Sequence, residues 1–410
     1  MFHEDEEVSG RSIELTDENP ELTTALVEAA RDIINKVYAN YAKPALENRD
    51  RIRSILEIKR FSGSLEQGSK IVIAVDSTWS KPVLEIVSGV FGVVASGYVV
   101  VGPSGTSSYE ICRVVSLVGN SEKHINTAIE ISAKIMEYDA AAKALDKHSY
   151  ADMVMLDGSL YFSTRPSFFK PAREVHGDPL ENVSNIDELI SISSAMLLKL
   201  FNKADKAHVP VVGVVKRVSS TFIASYIERS DPELANRLRK LNDKVMLSYV
   251  LEPGEYIVIS SYLDIFKEHL NIMKRFSKAL KHRRIQAILD TIEMCVSEEA
   301  GEELKKLCNA MKETAIIFYK PPSDMVYPQA IRLDVYPKSR IDEIVKYVML
   351  NTSQNAVPIP IDYADRFIRL ESTSIKRLYS LILNYGIKEK SNALIALGLT
   401  NPQKSYLFML

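Results

Sequence analysis

IVIAVDS at residues 71–77 and MVMLDGS at residues 153–159 follow the same pattern, in which an apolar run ends in an aspartate and a small residue. Runs of this length suit strands that are buried on both faces of a sheet. The carboxylate then emerges at the sheet edge where α/β proteins hold their ligands. Asp76 and Asp157 can therefore share a divalent cation, since Mg²⁺ and Mn²⁺ prefer oxygen ligands on rigid supports. The pattern predicts a metal-dependent phosphodiester enzyme.

The composition is that of a globular protein, because 46% of the 410 residues are hydrophobic and 25% are charged. This length predicts one large domain with additions, or two domains. Cys112, Cys295 and Cys308 have no CxxC spacing, which argues against a zinc ribbon or a disulfide framework and favours a reducing, cytoplasmic compartment. The acidic start MFHEDEE does not resemble a signal peptide, and no apolar run reaches the ~20 residues of a membrane span, so we expect neither.

The formal net charge of −2 gives little guidance to the substrate, although a protein that coats duplex DNA is usually basic. A nuclease can be near neutral overall if its basic residues are concentrated in one groove and an acidic metal site offsets them. The best candidate for such a concentration is the run KRFSKALKHRR at residues 274–284. The alternative is that this run is simply the solvated face of a helix.

The order of predicted elements indicates an α/β fold with an RNase H-like mixed sheet flanked by helices. Residues 1–69 are predicted to form an N-terminal helical arm, with a break near Pro44. A meander of strands follows from residue 70 to about 119, with Gly97 separating two of them. Helices over residues 121–147 and 186–207 then alternate with the strand that ends at Asp157 and with a strand over residues 209–215.

The rest of the chain is assigned to the same nuclease domain, which we place at residues 70–410. A mostly helical insertion at about 244–312 is predicted to begin with a strand pair around Pro253-Gly254. Two strands, at residues 315–319 and 330–336, and helices from Ile341 and from Tyr363 complete the prediction.

Further side chains could complete a metal shell beside the two aspartates. Glu130 and Glu137 lie seven residues apart and therefore on one face of the predicted helix, although both could simply face solvent. Lys216 ends the strand VVGVV and could neutralise charge developing on a phosphate, or it could extend from the sheet edge into solvent. Asp362 is well placed to cap the last helix, which leaves Asp365 as the freer ligand candidate. Either strand-end aspartate could instead be only a turn former.

With these residues assembled, the chain resembles the NurA family of archaeal DNA-end-processing nucleases. The matching elements are the strand ending in Asp76-Ser77, a helix glutamate, LDGSL at residues 156–160, GVVK at residues 213–216 and PIPI at residues 358–361. They follow one another in the family's order from about residue 70 to 370. LDGSL is the most specific of them.

The resemblance implies an RNase H-like core with a manganese-dependent nuclease site, in which Mg²⁺ is a possible substitute. It further implies a 5′-to-3′ exonuclease and single-strand endonuclease, a homodimer, and cooperation with the hexameric HerA translocase in resecting DNA double-strand breaks. Mapped onto this chain, the acidic residues are Asp76, Glu137 and Asp157, and the basic strand-end residue is Lys216. Many members carry a histidine early in the last helix, and our alignment places Asp365 there.

Two departures from the family pattern affect this transfer. Asp76-Ser77-Thr78 stands where many members have DGS, which keeps the ligand and changes the turn. Asp365 in place of a histidine preserves metal binding, but it would not preserve a proton transfer that requires imidazole.

The resulting hypothesis is that Asp76, Glu137, Asp157 and Asp365 hold Mn²⁺ or Mg²⁺ while Lys216 stabilises the developing negative charge. An alternative from another class is a non-catalytic clamp or adaptor that guides DNA for the translocase. A sugar-kinase-like phosphotransferase is disfavoured because the sequence has no glycine-rich phosphate loop.

Two expectations concern partners and substrate contacts. The apolar tail SYLFML at residues 405–410 is favoured for a protein contact, although it could pack on its own domain. Tyr256 or another aromatic residue could stack on an unpaired base, and the sequence does not select one.

Overall fold

The structure is a computed structural model. It describes residues 20–62, 70–80, 83–86, 89–161, 165–172, 175, 177–181, 183, 185–295, 297, 299–322, 329–353, 355–371, 373–375, 377–378 and 380–381. The apolar tail at residues 405–410 lies outside these ranges. Among the described helices, none is both long enough and apolar enough to cross a bilayer.

Within the described residues, the strands form one mixed sheet. They are β1 (Lys59–Arg60), β2 (Val72–Trp79), β3 (Leu84–Ile86), β4 (Gly89–Gly102), β5 (Gly105–Gly119), β6 (Met153–Asp157), β7 (Val211–Val215), β8 (Glu255–Ser261), β9 (Ala315–Tyr319) and β10 (Ile331–Tyr336). Their order is β1-β8-β9-β10-β7-β6-β2-β4, and β3 and β5 both pair with β4.

Helices flank this sheet and extend from it in the described part of the chain. They are α1 (Pro20–Val37), α2 (Lys43–Glu47), α3 (Arg49–Ile55), α4 (Glu122–Lys147), α5 (Ile186–Ala207), α6 (Phe222–Ile227), α7 (Pro232–Leu238), α8 (Asp243–Val250), α9 (Tyr262–Arg275), α10 (Ala279–Met294), α11 (Glu302–Glu313), α12 (Ile341–Leu350) and α13 (Ile359–Phe367).

The centre of the sheet has the predicted RNase H-like arrangement. Strands β2 and β4 are antiparallel, as are β4 and β5, so these three form a meander. Helices α4 and α5 then return the chain to β6 and β7, which extend the sheet in parallel from β2. Parallel neighbours require such crossovers, because the chain must return to the same end of the sheet. The predicted α/β class and RNase H-like order are confirmed.

Alternation along the strands divides the core into two layers. Ile73 and Val75 of β2 point into the larger cluster, which contains residues of α4 and α5. Val72 and Ala74 point to the opposite face, where α12 and α13 cover the sheet. Both faces of the central strands are therefore buried, as their continuous apolar sequence predicts.

The strand meander differs from the prediction at Gly97. We expected this glycine to separate two strands, but β4 runs without interruption from Gly89 to Gly102. The backbone of β5 passes so close that a Cβ atom at Gly97 would lie 2.3 Å from the carbonyl oxygen of Glu110. The glycine therefore permits a close approach between strands at a shift in register, and it does not mark a turn.

Other predicted boundaries also move. The arm does not break at Pro44, because a π-helix over Tyr38–Ala42 joins α1 to α2 and the backbone stays helical through Ala42 and Lys43. The interruption lies at Asn48, between α2 and α3. The region around Pro253-Gly254 is not a local strand pair, because β8 pairs with the distant strands β1 and β9. The last predicted helix, α13, begins at Ile359 and not at Tyr363.

One cysteine pair also corrects the prediction that the chain has no disulfide framework. Cys295 and Cys308 are disulfide-bonded between the end of α10 and helix α11, with 6.2 Å between their Cα atoms. Cys112 is a free thiol.

Candidate metal centre

Asp76, Asp157 and Lys216 share one face of the sheet. Asp157 is the last residue of β6 and Lys216 follows β7, but β2 does not end at Asp76 as we predicted and continues to Trp79. Each lies an even number of residues after a side chain of the α12–α13 face: Ala74 in β2, Met155 in β6 and Val214 in β7. Because β2, β6 and β7 are parallel neighbours, their carboxyl ends meet at one edge. The three side chains therefore meet at the edge where the sequence pattern predicts a shared site.

Helix α13 brings a third carboxylate to the same edge. It packs against β2, β4 and β6, and it presents Asp365 to Asp76 and Asp157. One carboxylate oxygen from each of Asp76, Asp157 and Asp365 lies within 4.8 Å of the other two. Asp362 does not cap this helix, because Pro358 is the N-cap residue and Asp362 accepts hydrogen bonds from Asn355 and Arg366.

Lys216 is the cation of this cluster. Its Nζ atom lies 2.8 Å from Oδ2 of Asp157 and 2.5 Å from Oδ2 of Asp365. Burial alone would lower the pKa of Lys216, but the two aspartates raise it above its usual value. The lysine therefore stays protonated and compensates part of the negative charge at this edge.

Asp76 is the carboxyl group of this cluster with a strongly raised pKa. Its side chain is buried, and burial together with the negative charges of Asp157, Glu137 and Asp365 raises its pKa to about 9. Lys216 opposes this shift only in part. A site that disfavours ionisation so strongly is short of positive charge, which a bound cation would supply.

Glu137 reaches the same edge from the opposite face. Helix α4 buries its side chain, and Oε1 accepts a hydrogen bond of 2.5 Å from the hydroxyl of Ser77. The Lys134 ammonium donates to Oε2 at 2.5 Å and to the backbone oxygen of Asp157 at 2.7 Å. Burial raises the pKa of Glu137, and Lys134 opposes that shift. Glu130, the other candidate, is exposed and lies in the lining of the cleft.

Lys134 is a functional candidate that we did not predict. It is buried one turn before Glu137 and joins this carboxylate to the turn that follows β6. The turn residue Gly158 has φ of 92°, and a Cβ atom there would lie 3.3 Å from the lysine Nζ. The sequence signal was a lysine within the buried part of α4, where charged side chains are rare unless paired.

A second buried pair supports Ser159 of the LDGSL element. Arg332 donates through Nε to Oδ1 of Asp334 at 2.8 Å, and both residues contact the hydroxyl of Ser159. The guanidinium also lies over the rings of Phe222 and Tyr262. We did not predict this pair, although two charged residues spaced by two in the buried strand IRLDVY were a detectable signal.

The loop after β7 is held by Asp243, which is fully buried. Its carboxylate accepts hydrogen bonds from the hydroxyl of Ser220 and from the backbone amides of Phe222 and Ile223. Burial raises the pKa of Asp243 to about 6. The neighbouring Lys244 donates to the carbonyl of Lys216 at 2.8 Å, which fixes the backbone that presents the lysine.

These side chains line a cleft of ≈1060 Å³ at the carboxyl edge of the sheet. The carboxylates of Asp76, Asp157, Glu137 and Asp365 lie on its wall, with Lys216 between them and Arg217 and Arg369 nearby. Clustered carboxylate oxygens are the ligands that Mn²⁺ and Mg²⁺ prefer, so the donor set fits such a cation. The exposed arginines suit a polyanionic substrate.

Comparisons with known proteins concern the family and the fold of the chain. The family model of the NurA domain matches residues 70–370. The crystal structure of the NurA nuclease from Sulfolobus solfataricus has the same fold, with a TM-score of 0.55 and 13% sequence identity, over 91% of this chain and 99% of that one. A crystal structure described as NurA bound to dAMP and manganese is similar with a TM-score of 0.47 and 11% identity, over 90% and 97% of the two chains. No curated protein sequence matches the chain.

Proposed function

This chain belongs to the NurA family, and from that premise we propose that it is a metal-dependent DNA nuclease that hydrolyses phosphodiester bonds. The observation that carries the proposal is the meeting of Asp76, Asp157 and Asp365 with their oxygens within 4.8 Å of one another. The cluster does not serve folding, because burial and the neighbouring carboxylates raise the pKa of Asp76 to about 9 and so oppose its ionisation at neutral pH. Such electrostatic cost is typical of functional sites.

We assign the metal-holding role to Asp76, Asp157 and Asp365, with Glu137 contributing from the α4 face. Mn²⁺ is the proposed ion and Mg²⁺ a possible substitute, because both take carboxylate ligands. When bound, the ion would supply Lewis-acid polarisation of the scissile phosphate and a hydroxide from water at neutral pH.

The chain's own residues have distinct roles in this proposal. Lys216 places a protonated amine at the strand end, where it can offset negative charge that develops on the phosphate. Lys134 and Ser77 fix the orientation of Glu137, and Lys134 also holds the turn after Asp157. Rigid support of this kind lowers the cost of arranging charged groups during the reaction.

We also propose the finer activities that the resemblance to the NurA family implies. They are a 5′-to-3′ exonuclease and a single-strand endonuclease that act in the resection of DNA double-strand breaks in the cytoplasm. The partners would be a second copy of this chain and a HerA-type hexameric translocase. Arg217 and Arg369 beside the cleft support a DNA substrate, because both are exposed and cationic.

Digestion of end-labelled linear DNA tests the proposal. Wild-type protein is expected to cut in Mn²⁺ and to stop in EDTA. Asp157→Asn should lower the rate at least about 100-fold, because it removes a ligand charge without changing the side-chain shape. Asp342→Asn is the matched control, since Asp342 is exposed on α12 and does not line the cleft.

The outcome separates the nuclease from the clamp or adaptor. DNA binding without Mn²⁺-dependent cleavage would overturn the nuclease proposal and favour a protein that only guides DNA. Full activity of Asp157→Asn would overturn the site assignment.

A further inference from the structure

A pocket between α6, α9 and α10 adjoins the metal cleft. Its volume is ≈380 Å³, and its lining includes Thr221, Ser225, Arg239, His269, Phe276 and Lys278. His269 lines both this pocket and the cleft, and Thr221 directly follows the cleft residue Ser220. A strand that passes through the cleft can therefore reach this pocket, which we call the α9–α10 pocket.

Phe276 gives the α9–α10 pocket an exposed aromatic surface. It follows the last residue of α9, and its relative exposure is 66%. The guanidinium of Arg239 lies 4.2 Å from the ring centroid, and Glu228 holds Arg239 through an ion pair of 2.6 Å. An exposed phenylalanine that is held in this way has the form of a stacking surface, because its ring is accessible without being free to move.

The residues after Phe276 are strongly basic. Lys278, Lys281, Arg283 and Arg284 are all exposed, and within the described ranges none of them makes an ion pair. Lys278 and Lys281 line the pocket itself. This is the run that the sequence identified as a possible basic groove, and its charge is available for a polyanion.

The floor of the pocket carries no charge. His269 forms a hydrogen bond of 3.1 Å with the hydroxyl of Ser225, and burial lowers its pKa to about 4, so the imidazole is neutral near pH 7. Ala224, Ile272 and Met273 supply the apolar part of the lining. An uncharged floor beneath a basic rim suits a base flanked by phosphates better than it suits a phosphate alone.

We propose that the α9–α10 pocket receives one unstacked base of the DNA strand that runs through the metal cleft. Phe276 stacks on the base, and Lys278 and Lys281 contact the flanking phosphates. The inference rests on the proposed DNA nuclease function and adds to it a subsite for single-stranded DNA. In a blunt duplex each base is already stacked on its neighbours, so its face is not free to stack on Phe276. Tyr256 does not take this role, because it packs against the core on the α12–α13 face.

Equilibrium binding of labelled oligonucleotides tests the proposal in the full-length Asp157→Asn protein, in which cleavage is suppressed. Phe276→Ala should weaken binding of a single-stranded 20-mer by about 5- to 150-fold, which is the range expected for one lost base–aromatic contact. Binding of a blunt hairpin duplex should change less than about 2-fold. Phe276→Tyr should restore single-strand binding, because it restores the ring.

Leu280→Ala is the matched control. Leu280 lies on α10 next to the basic residues and is 84% exposed, but it does not line the pocket. The Leu280→Ala variant should bind the single-stranded 20-mer and the hairpin duplex with the same Kd as the Asp157→Asn protein that carries no further substitution. The double substitution Lys278→Ala/Lys281→Ala should lower the slope of log Kd against log salt by about 1.4, since each contact with a single-strand phosphate contributes about 0.7.

A 2-aminopurine base, moved position by position along the 20-mer, shows whether a base is seated on Phe276. One position should change its fluorescence on binding, and Phe276→Ala should abolish that change while Leu280→Ala keeps it. The inference is overturned if Phe276→Ala leaves the single-strand Kd unchanged, or if it weakens the hairpin duplex equally. Failure of the unmodified protein to bind any DNA would instead count against the proposed function.

Discussion

Replacing Asp76 with asparagine removes the carboxyl group whose ionisation the fold opposes most clearly. The pKa of Asp76 rises from 3.8 to about 9, chiefly through burial and then through the neighbouring carboxylates. A carboxyl group whose pKa is raised by folding makes its full contribution to stability below its unfolded pKa, where both states are protonated. That contribution is lost as the pH rises through the folded pKa, because the unfolded state loses its proton first. The loss therefore extends from about pH 4 to about pH 9.

The magnitude follows from the width of that window. The interval from the unfolded pKa of Asp76 to pH 7 is about three pH units, and over that interval the unfolded chain is ionised while the folded protein keeps its proton. Each pH unit lowers the free energy of unfolding by about 1.4 kcal/mol. The metal-free wild-type protein therefore forgoes up to about 4 kcal/mol at pH 7, which Asp76→Asn should recover. The variant should be more stable than the wild type, and its advantage should grow by up to about 1.4 kcal/mol per unit between pH 5 and pH 8.

Urea unfolding in EDTA at several pH values measures this difference, with Asp342→Asn as a control that should stay within about 0.5 kcal/mol of the wild type. Saturating Mn²⁺ should reduce the advantage of Asp76→Asn by about 3 kcal/mol at a concentration 100 times the Kd, because only the wild type retains the full set of ligands. The reasoning is refuted if Asp76→Asn is less stable than the wild type in EDTA, or if the difference does not change with pH.

Three further predictions concern the supporting residues and the tail. Asp334→Ala should lower the free energy of unfolding in urea by about 3–5 kcal/mol, because it leaves Arg332 buried without its partner. The double variant Arg332→Met/Asp334→Leu should recover most of that stability, and an equal loss in both variants would contradict the explanation. Lys134→Met should destabilise the fold more at pH 8 than at pH 5 in the same urea measurement, since Glu137 must then ionise while buried and without its ion pair. Lys123→Met, at an exposed position of the same helix, should show no such trend. Deletion of residues 405–410 should lower the mass that light scattering measures for the proposed homodimer, because the apolar segment SYLFML favours a protein contact. An unchanged dimer mass would contradict this role for the segment.

The parts of the site that the sequence predicted depend on local patterns. Asp76, Asp157 and Lys216 each end a continuous apolar run, and such a run determines both the burial of the strand and the emergence of its last side chain. Parallel neighbours then bring those ends together. Asp365 was proposed because Asp362 was expected to cap the last helix, and the resemblance placed it at the family's histidine position. The expected cap was wrong, but the contact of Asp365 with Lys216 shows that α13 brings it to the same edge.

The supporting residues depend on distant contacts, which no local pattern specifies. Ser159 and Asp334 are 175 residues apart and meet only because β10 joins the far side of β7. The interruption expected at Gly97 was wrong for the same reason, since this glycine is required by the close approach of the β5 backbone and not by a local turn. Lys134 could have been suspected from its buried helix, but its bond to the backbone of Asp157 required the fold.

The most direct test of the metal centre is an anomalous difference map from a crystal soaked in Mn²⁺. We predict a peak at about 2.0 to 2.3 Å from carboxylate oxygens of Asp76 and Asp157, with Asp365 or Glu137 completing the protein ligands. The same soak of Asp157→Asn should show a weaker peak or none. A manganese peak elsewhere, with these carboxylates bonded only to Lys216 and Lys134, would contradict the account.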